Sequence, residues 1–217
     1  QSGADDIVAV EVNPASVWLV EDLADYNGNL YGRPEVRVVV DEGRSVLRRE
    51  KTDYDLISLS QVTTLAAERS GYALTENTVY TVEAFQDYLD NLSSDGVLSI
   101  TRWHWDPPRE SLRLVTVATA ALQRIGIHDS ERHIIALGVG RMGSILVQRS
   151  PYTDRQIGRA SEVAAARGFD ILFTPGAHHD GDPSIHVRKP ILAVQVRRAR
   201  EQPLLVFDER LYRLRHT

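Results

Sequence analysis

The sequence predicts an α/β protein: a mostly parallel, doubly wound sheet with a C-terminal antiparallel hairpin. Three observations lead there. Short β-branched runs, "IVAVEV" (7–12), "VRVVV" (36–40) and "YDLISLS" (54–60), read as strands of a parallel sheet covered on both faces. Helical segments separate them, and strand–helix alternation builds parallel sheets with right-handed crossovers. Finally, the apolar runs "HIIAL" (133–137) and "SILVQRS" (144–150) flank a glycine-containing turn, which predicts a hairpin over 133–149.

Each element has its own signal. After the first strand, Asn13 caps a helix and Pro14 fills its first position, with Val17, Trp18 and Val20 as the expected buried stripe. "YNGNLYGRP" (26–34) is a turn-rich loop leading to the second strand. A short helix over 41–50 precedes the third strand, and 61–80 has no clear period. Phe85, Tyr88, Leu89 and Leu92 recur at i, i+3, i+4, i+7 and predict a helix over 81–92. Asp95-Gly96 is expected to turn into a strand over 97–103. Pro107-Pro108 holds off the next helix until Arg109, after which Leu112, Val115, Thr119 and Leu122 line one face as far as Ile125. A helix near 154–167 and a strand over 169–173 come after the hairpin. Residues 1–150 are expected to form the main domain, with 151–217 an extension packed on it.

Composition narrows the function. The chain has 217 residues, 42% hydrophobic and 25% charged, enough for one domain with its own core. A net charge of −5 argues against non-specific nucleic-acid binding. Only Lys51 and Lys189 are lysines among the 25 basic residues, which reads as codon bias rather than a phosphate-binding design. There is no cysteine, so disulfides and thiolate zinc sites are excluded. No apolar run approaches the ~20 residues of a membrane span.

A parallel doubly wound sheet binds ligands beyond the carboxyl ends of its strands, which directs attention to 11–16, 41–44, 60–80 and 102–106. Glu11 ends the first strand, where a carboxylate accepts two hydrogen bonds from a ribose diol. Asp41, Glu42 and Gly43 end the second; an acid there accepts from an adenine amine, and glycine lets backbone approach the ring. "GVGRMG" (138–143) matches G-x-G-x-x-G, the pattern of a pyrophosphate loop. Such a loop needs a helix after it to present free N–H groups. Residues 144–150 read as a strand instead, so the three glycines are assigned to the hairpin turn.

The blocks "VAVEVNP", "VRVVVDEGRSVLRR", "YDLISLS" and "LTENTVYTVEAFQDYLDNLSSDGVLSITRW", in this order over roughly residues 5–105, resemble the spermidine synthase (polyamine aminopropyltransferase) family, on the class I S-adenosylmethionine-dependent methyltransferase fold. The resemblance implies a Rossmann-like domain whose cofactor is S-adenosylmethionine or its decarboxylated form. It implies that Glu11 binds the ribose hydroxyls and that Glu42 with Gly43 meets the adenine, beside Asp41. Ser60, Gln61 and Tyr80 fall at the substrate side, with "YTVEAF" (80–85) starting the helix behind the site.

Two departures stand out. The family's first strand and glycine-rich loop precede the Glu11 strand, whereas six residues precede Ile7 here. The expectation is therefore a sheet without that strand, in a chain that is a trimmed piece or an evolutionarily reduced form. The family also carries aspartates at the positions of Ser60 and Thr63, where one helps deprotonate the amine and both hold its charge. Neutral hydroxyls do neither near pH 7, and a general base is worth about 10²–10⁴-fold. Spermidine synthase activity is therefore not expected.

Other clusters carry weaker signals. His178, His179, Asp180, Asp182 and His186 have metal-ligand chemistry but sit in a Gly/Pro loop, which reads as a polar loop, and no metal site is assigned. Trp103, His104 and Trp105 lie just past a strand at the ligand edge, as pocket walls or as cover for the sheet. Tyr72, Glu76 and Tyr80 belong to a segment that can close over the same edge. Two functions are compatible with these residues: a transferase on an adenosyl cofactor with an unassigned acceptor, or a non-catalytic binding or assembly domain. The expected location is the cytoplasm, with the soluble part of a larger membrane protein as the variant. The expected partners are a small-molecule ligand and a second copy of the chain, since the family commonly dimerises.

Overall fold

The computed structural model describes residues 4–62, 78–105 and 108–176. The elements run β1 (Ile7–Glu11), α1 (Pro14–Asp22), α2 (Ala24–Asn27), β2 (Val36–Val40), α3 (Gly43–Glu50) and β3 (Tyr54–Ser60). After a 3₁₀ turn (Thr78–Tyr80) come α4 (Val82–Asp90), β4 (Leu92–Trp103) and α5 (Arg109–Arg124). A second 3₁₀ turn (Ser130–Arg132) leads to β5 (Ile134–Val139), β6 (Met142–Gln148), α6 (Asp154–Arg167) and β7 (Asp170–Phe173).

The strands form two sheets. β1 pairs in parallel with β2, Ile7 opposite Val36 and Glu11 opposite Val40. The second sheet has the order β3-β4-β6-β5-β7. β3 and β4 are parallel, and β6 inserts antiparallel between β4 and β5. β7 is antiparallel to β5, so β3, β4 and β5 run one way and β6 and β7 the other. This is the Rossmann-like architecture expected from the sequence.

Helix starts reflect local chemistry. Asn13 accepts the Ala15 amide at 3.0 Å with Pro14 behind it. Thr81 accepts the Ala84 amide at 3.1 Å, and Thr153 and Gln156 form a reciprocal capping box at the start of α6. The core lies where α4 and α5 cover β4 and β6. Phe85, Tyr88 and Leu89 meet Leu114, Val115 and Leu122 over Leu98, Ile100, Ile145 and Val147. Ala84, Ala118 and Ala121 are fully buried among them, small enough to let the two helices approach. Each large apolar side chain buried this way is worth about 1.5–3 kcal/mol.

Several expectations change. Trp18 is 64% exposed, and Val17 is the one buried residue of α1. The helix expected over 81–92 stops at Asp90, and β4 begins at Leu92 rather than after Asp95-Gly96. The cause is non-local: the Tyr54 amide donates to Asn91 O at 2.8 Å, and Leu92 pairs with Tyr54 before a register shift between Tyr54 and Leu56. No residue of β1 or β2 is buried, although their sequences read as covered on both faces. Val10, Val40 and Leu56 remain 37%, 51% and 58% exposed.

Candidate functional site

The carboxyl ends of the strands form a rim in two halves. In the first, the Asp41 amide donates to Glu11 O at 3.2 Å, which fixes the two strand ends side by side. Glu11 Oε1 accepts the Asn13 amide at 2.9 Å. Its other oxygen has no partner among the described residues, so an acceptor stands on the rim next to Asp41. Asp41 Oδ1 accepts the Glu42 amide at 2.7 Å and Oδ2 meets Arg49 at 2.9 Å. The Glu42 amide first, and then Arg49, hold the Asp41 carboxyl below the usual range, so it is ionised at neutral pH.

Glu42 has a role that its sequence position does not announce. Its carboxylate is the N-cap of α3, accepting from the Arg44 amide at 3.0 Å and from the Ser45 amide and hydroxyl at 2.8 and 3.0 Å. The available signal is an acid just before a helix, which is a cap pattern as well as a ligand pattern. Gly43 opens that helix with nothing within 4 Å of where a Cβ would stand, so this corner of the rim is open.

The second half lies at the ends of β3 and β4. Ser60 is exposed and Gln61 half-buried. Gln61 adopts a left-handed φ of 53°, an uncommon conformation for a residue with a side chain. Its amide donates to Thr101 O at 3.0 Å and its Nε2 contacts Met142 Sδ at 3.0 Å. The next carbonyl, of Val62, accepts both the Tyr80 hydroxyl and Arg102 Nη1 at 3.1 Å. Arg102 also stacks on the Tyr80 ring, 4.9 Å from its centroid, and pairs with Glu110 at 2.9 Å.

Tyr80 is thus only 5% exposed, and its hydroxyl holds the end of β3 rather than standing open on the rim. Burial is the main reason its hydroxyl ionises above the usual tyrosine range, with Arg102 opposing. The cluster Tyr80–Arg102–Glu110 gave no sequence signal, because its members come from three different elements. Trp103 and Trp105 rings lie 5.7 Å apart, and Arg141 stacks on Trp105 at 5.1 Å. His104 Nδ1 lies 2.9 Å from Ser111 Oγ.

No described hydrogen bond joins Glu11 and Asp41 to Ser60 and Gln61. Thr63, Tyr72, Glu76 and the histidine cluster at 178–186 lie outside the described residues. Among the described residues no three acidic or histidine side chains gather as metal ligands, and no helix is long and apolar enough to cross a membrane.

The glycine pattern of 138–143 is a hairpin, as expected. Gly140 sits in the turn at φ +55°, a conformation costly for other residues. Gly143 lies where β6 passes under His104 and Ser111: a Cβ there would stand 3.0 Å from Ser111 Oγ and 3.1 Å from His104 Cβ.

Comparison with known proteins agrees with this architecture. Spermidine synthase from Thermotoga maritima superposes with a TM-score of 0.51 at 17% identity, covering 72% of this chain and 50% of that one. A probable spermidine synthase from Corynebacterium glutamicum gives 0.50 at 14% identity, covering 81% and 63%. Human methyltransferase-like protein 13, in complex with SAH, gives 0.47 at 13% identity, covering 88% and 78%. The chain therefore spans half to under two thirds of the two spermidine synthase structures. No family model and no curated protein matches the sequence. The fold is that of the two spermidine synthase structures.

Proposed function

We propose that this chain is a spermidine synthase-like transferase domain that binds an adenosyl ligand on the Glu11–Asp41 half of the rim and uses an acceptor other than a polyamine. The observation that carries the reading is the Asp41 N–H to Glu11 O bond, which sets Glu11, with one carboxylate oxygen unengaged among the described residues, beside the end of β2. Glu11 then takes the ribose hydroxyls, and Asp41 with the Glu42–Gly43 backbone flanks the adenine. The carboxylate of Glu42, committed to its helix cap, contributes by holding that backbone in place. The ligand suited to this half is the nucleoside part of S-adenosylmethionine or its decarboxylated form.

The acceptor side argues against a polyamine. The exposed end of β3 offers the Ser60 hydroxyl, and Glu110, the carboxylate of the Tyr80–Arg102 cluster, is already paired with Arg102. Neither draws a polycation or removes a proton from an amine at neutral pH. The same observation favours a second reading, a domain that binds the nucleoside without catalysis.

Calorimetric titration with S-adenosylmethionine, its decarboxylated form and methylthioadenosine tests the proposal. Losing a charged acceptor that takes two hydrogen bonds costs about 1.5–3 kcal/mol, so Glu11→Ala should bind roughly 10–100-fold more weakly. Equal affinity in wild type and Glu11→Ala, or no binding of any of the three by wild type, defeats the ligand assignment. Aminopropyl transfer to putrescine above background defeats the acceptor assignment alone.

A further inference from the structure

The turn between β5 and β6 reaches the carboxyl rim beside the end of β4, because the His104 amide donates to Arg141 O at 2.6 Å. Arg141 is exposed, its guanidinium lies 5.1 Å from the centroid of the Trp105 ring, and it makes no ion pair among the described residues. The carboxylate of Glu110 is spent on Arg102. An unbalanced cation therefore stands on this half of the rim, the charge opposite to the one a polyamine needs. Strand register places it relative to Ser60. Ser60 lies opposite Thr101, Thr101 opposite Ser144, and Trp103 opposite Met142. Residues in register share a face of the sheet, and alternate residues along a strand return to it. Ser60, Thr101, Ser144, Met142 and Trp103 thus share one face, as the 2.7 Å contact of the Thr101 and Ser144 hydroxyls requires. Arg102 and His104 turn to the other face, where they meet Glu110 and Ser111 of α5. One strand spacing and two residues of rise put the Trp103 backbone about 8 Å from that of Ser60.

We propose that the corner formed by Trp103, Trp105 and Arg141 is the acceptor subsite and takes a small planar aromatic anion, of which an aromatic carboxylate is the simplest. That it serves an acceptor rests on the transferase reading above; that it binds such a molecule does not. Three features select the class. A guanidinium takes a carboxylate through two parallel N–H bonds. The Arg141 plane is already set by the Trp105 ring and its main chain by the His104 amide, so less freedom is lost on binding. Two indoles with centroids 5.7 Å apart make an aromatic surface of which Trp105 stays 42% exposed, and a flat ring gains from it by stacking. A nucleic acid offers rings and anions too, but the net charge of −5 repels it.

Benzoate tests this, beside benzylamine, which carries the same ring and the opposite charge, and cyclohexanecarboxylate, which keeps the charge without the plane. The chain has three tryptophans, Trp18, Trp103 and Trp105, so the indole N–H resonances report binding directly, with Trp18 on α1 as the internal control. Benzoate should shift the Trp103 and Trp105 signals saturably and leave Trp18 in place. Its affinity should fall about 10–100-fold in Arg141→Gln and about 3–10-fold in Trp105→Leu, and cyclohexanecarboxylate should bind wild type about 3–10-fold more weakly than benzoate. Benzylamine binding as tightly as benzoate overturns the proposal. So does benzoate affinity indifferent to Arg141→Gln, or three indole signals moving together. Should Arg141→Gln disturb the β5 and β6 amide signals, the preference of wild type for benzoate over benzylamine and the Trp105→Leu loss decide instead. The nucleoside reading is tested apart from this: Glu11→Ala should leave benzoate binding untouched. Adenosyl binding without a benzoate shift defeats this inference alone, and benzoate binding without any adenosyl ligand defeats the nucleoside reading alone.

Discussion

Gly143→Ala separates a hairpin glycine from a nucleotide-loop glycine. The new methyl would stand 3.0 Å from Ser111 Oγ, 3.1 Å from His104 Cβ and 3.4 Å from His104 Nδ1. Carbon prefers about 3.5–4.0 Å, so the surroundings must yield by a few tenths of an ångström. They have little room to do so. Ser111 is buried in the first turn of α5, and Gly143 is held by Arg102 of β4 on one side and Gly138 of β5 on the other. Overpacking of this kind costs about 1–3 kcal/mol, and each kcal/mol lowers Tm by about 2–4 °C in a domain of this size. The expected fall is therefore about 2–12 °C. Gly140→Ala meets no atom within 4 Å, so only the left-handed backbone at φ +55° is penalised. That is about 1 kcal/mol, or roughly 2–4 °C. Thermal unfolding monitored by circular dichroism reads both, and calorimetry with S-adenosylmethionine and NAD should show affinities unchanged by either substitution. An unshifted Tm for Gly143→Ala together with a lost nucleotide affinity would refute the hairpin reading.

The ionisable groups set two pH limits. The carboxyls of Asp41, Glu50 and Glu83 are held below their usual range, chiefly by the Glu42 amide, Arg37 and Arg124 respectively. As pH falls the unfolded chain takes up their protons first, so their stabilisation is complete above about pH 5 and is lost through the lowered folded values. Tm should be flat from pH 8 to 5 and fall below about 4, with Arg37→Gln showing a slightly shallower fall because these groups are exposed; an acid limb beginning near pH 6 contradicts the assignment. At the alkaline end, burial first of all raises Tyr80, Tyr88 and Tyr152 above the usual phenol range. Their stabilisation is complete below about pH 10 and fades as pH rises toward the raised folded values, so absorbance at 295 nm should show these three tyrosines ionising only with unfolding.

The features legible in the sequence are those that local chemistry decides. The hairpin was legible because strand period and turn residue lie within a few positions, the start of α1 because Asn13 caps its own helix, and α4 because Phe85, Tyr88 and Leu89 recur at helical spacing. The start of β4 was not, because Asn91 is drawn out of the helical pattern by the Tyr54 amide, from a strand far back in the chain. Nor was the exposure of β1 and β2, since burial belongs to the neighbours of a strand and not to its own residues. Glu42 shows a deeper limit. A strand feeding a helix puts the same position at the ligand rim and at the N-cap, and both tasks call for a carboxylate acceptor. Sequence chemistry cannot choose between them, whereas the three bonds that Glu42 makes to Arg44 and Ser45 can. Glu11 spends one oxygen on the Asn13 amide and its other oxygen has no partner among the described residues, which leaves it, rather than Glu42, as the acid whose removal a ligand should feel most directly.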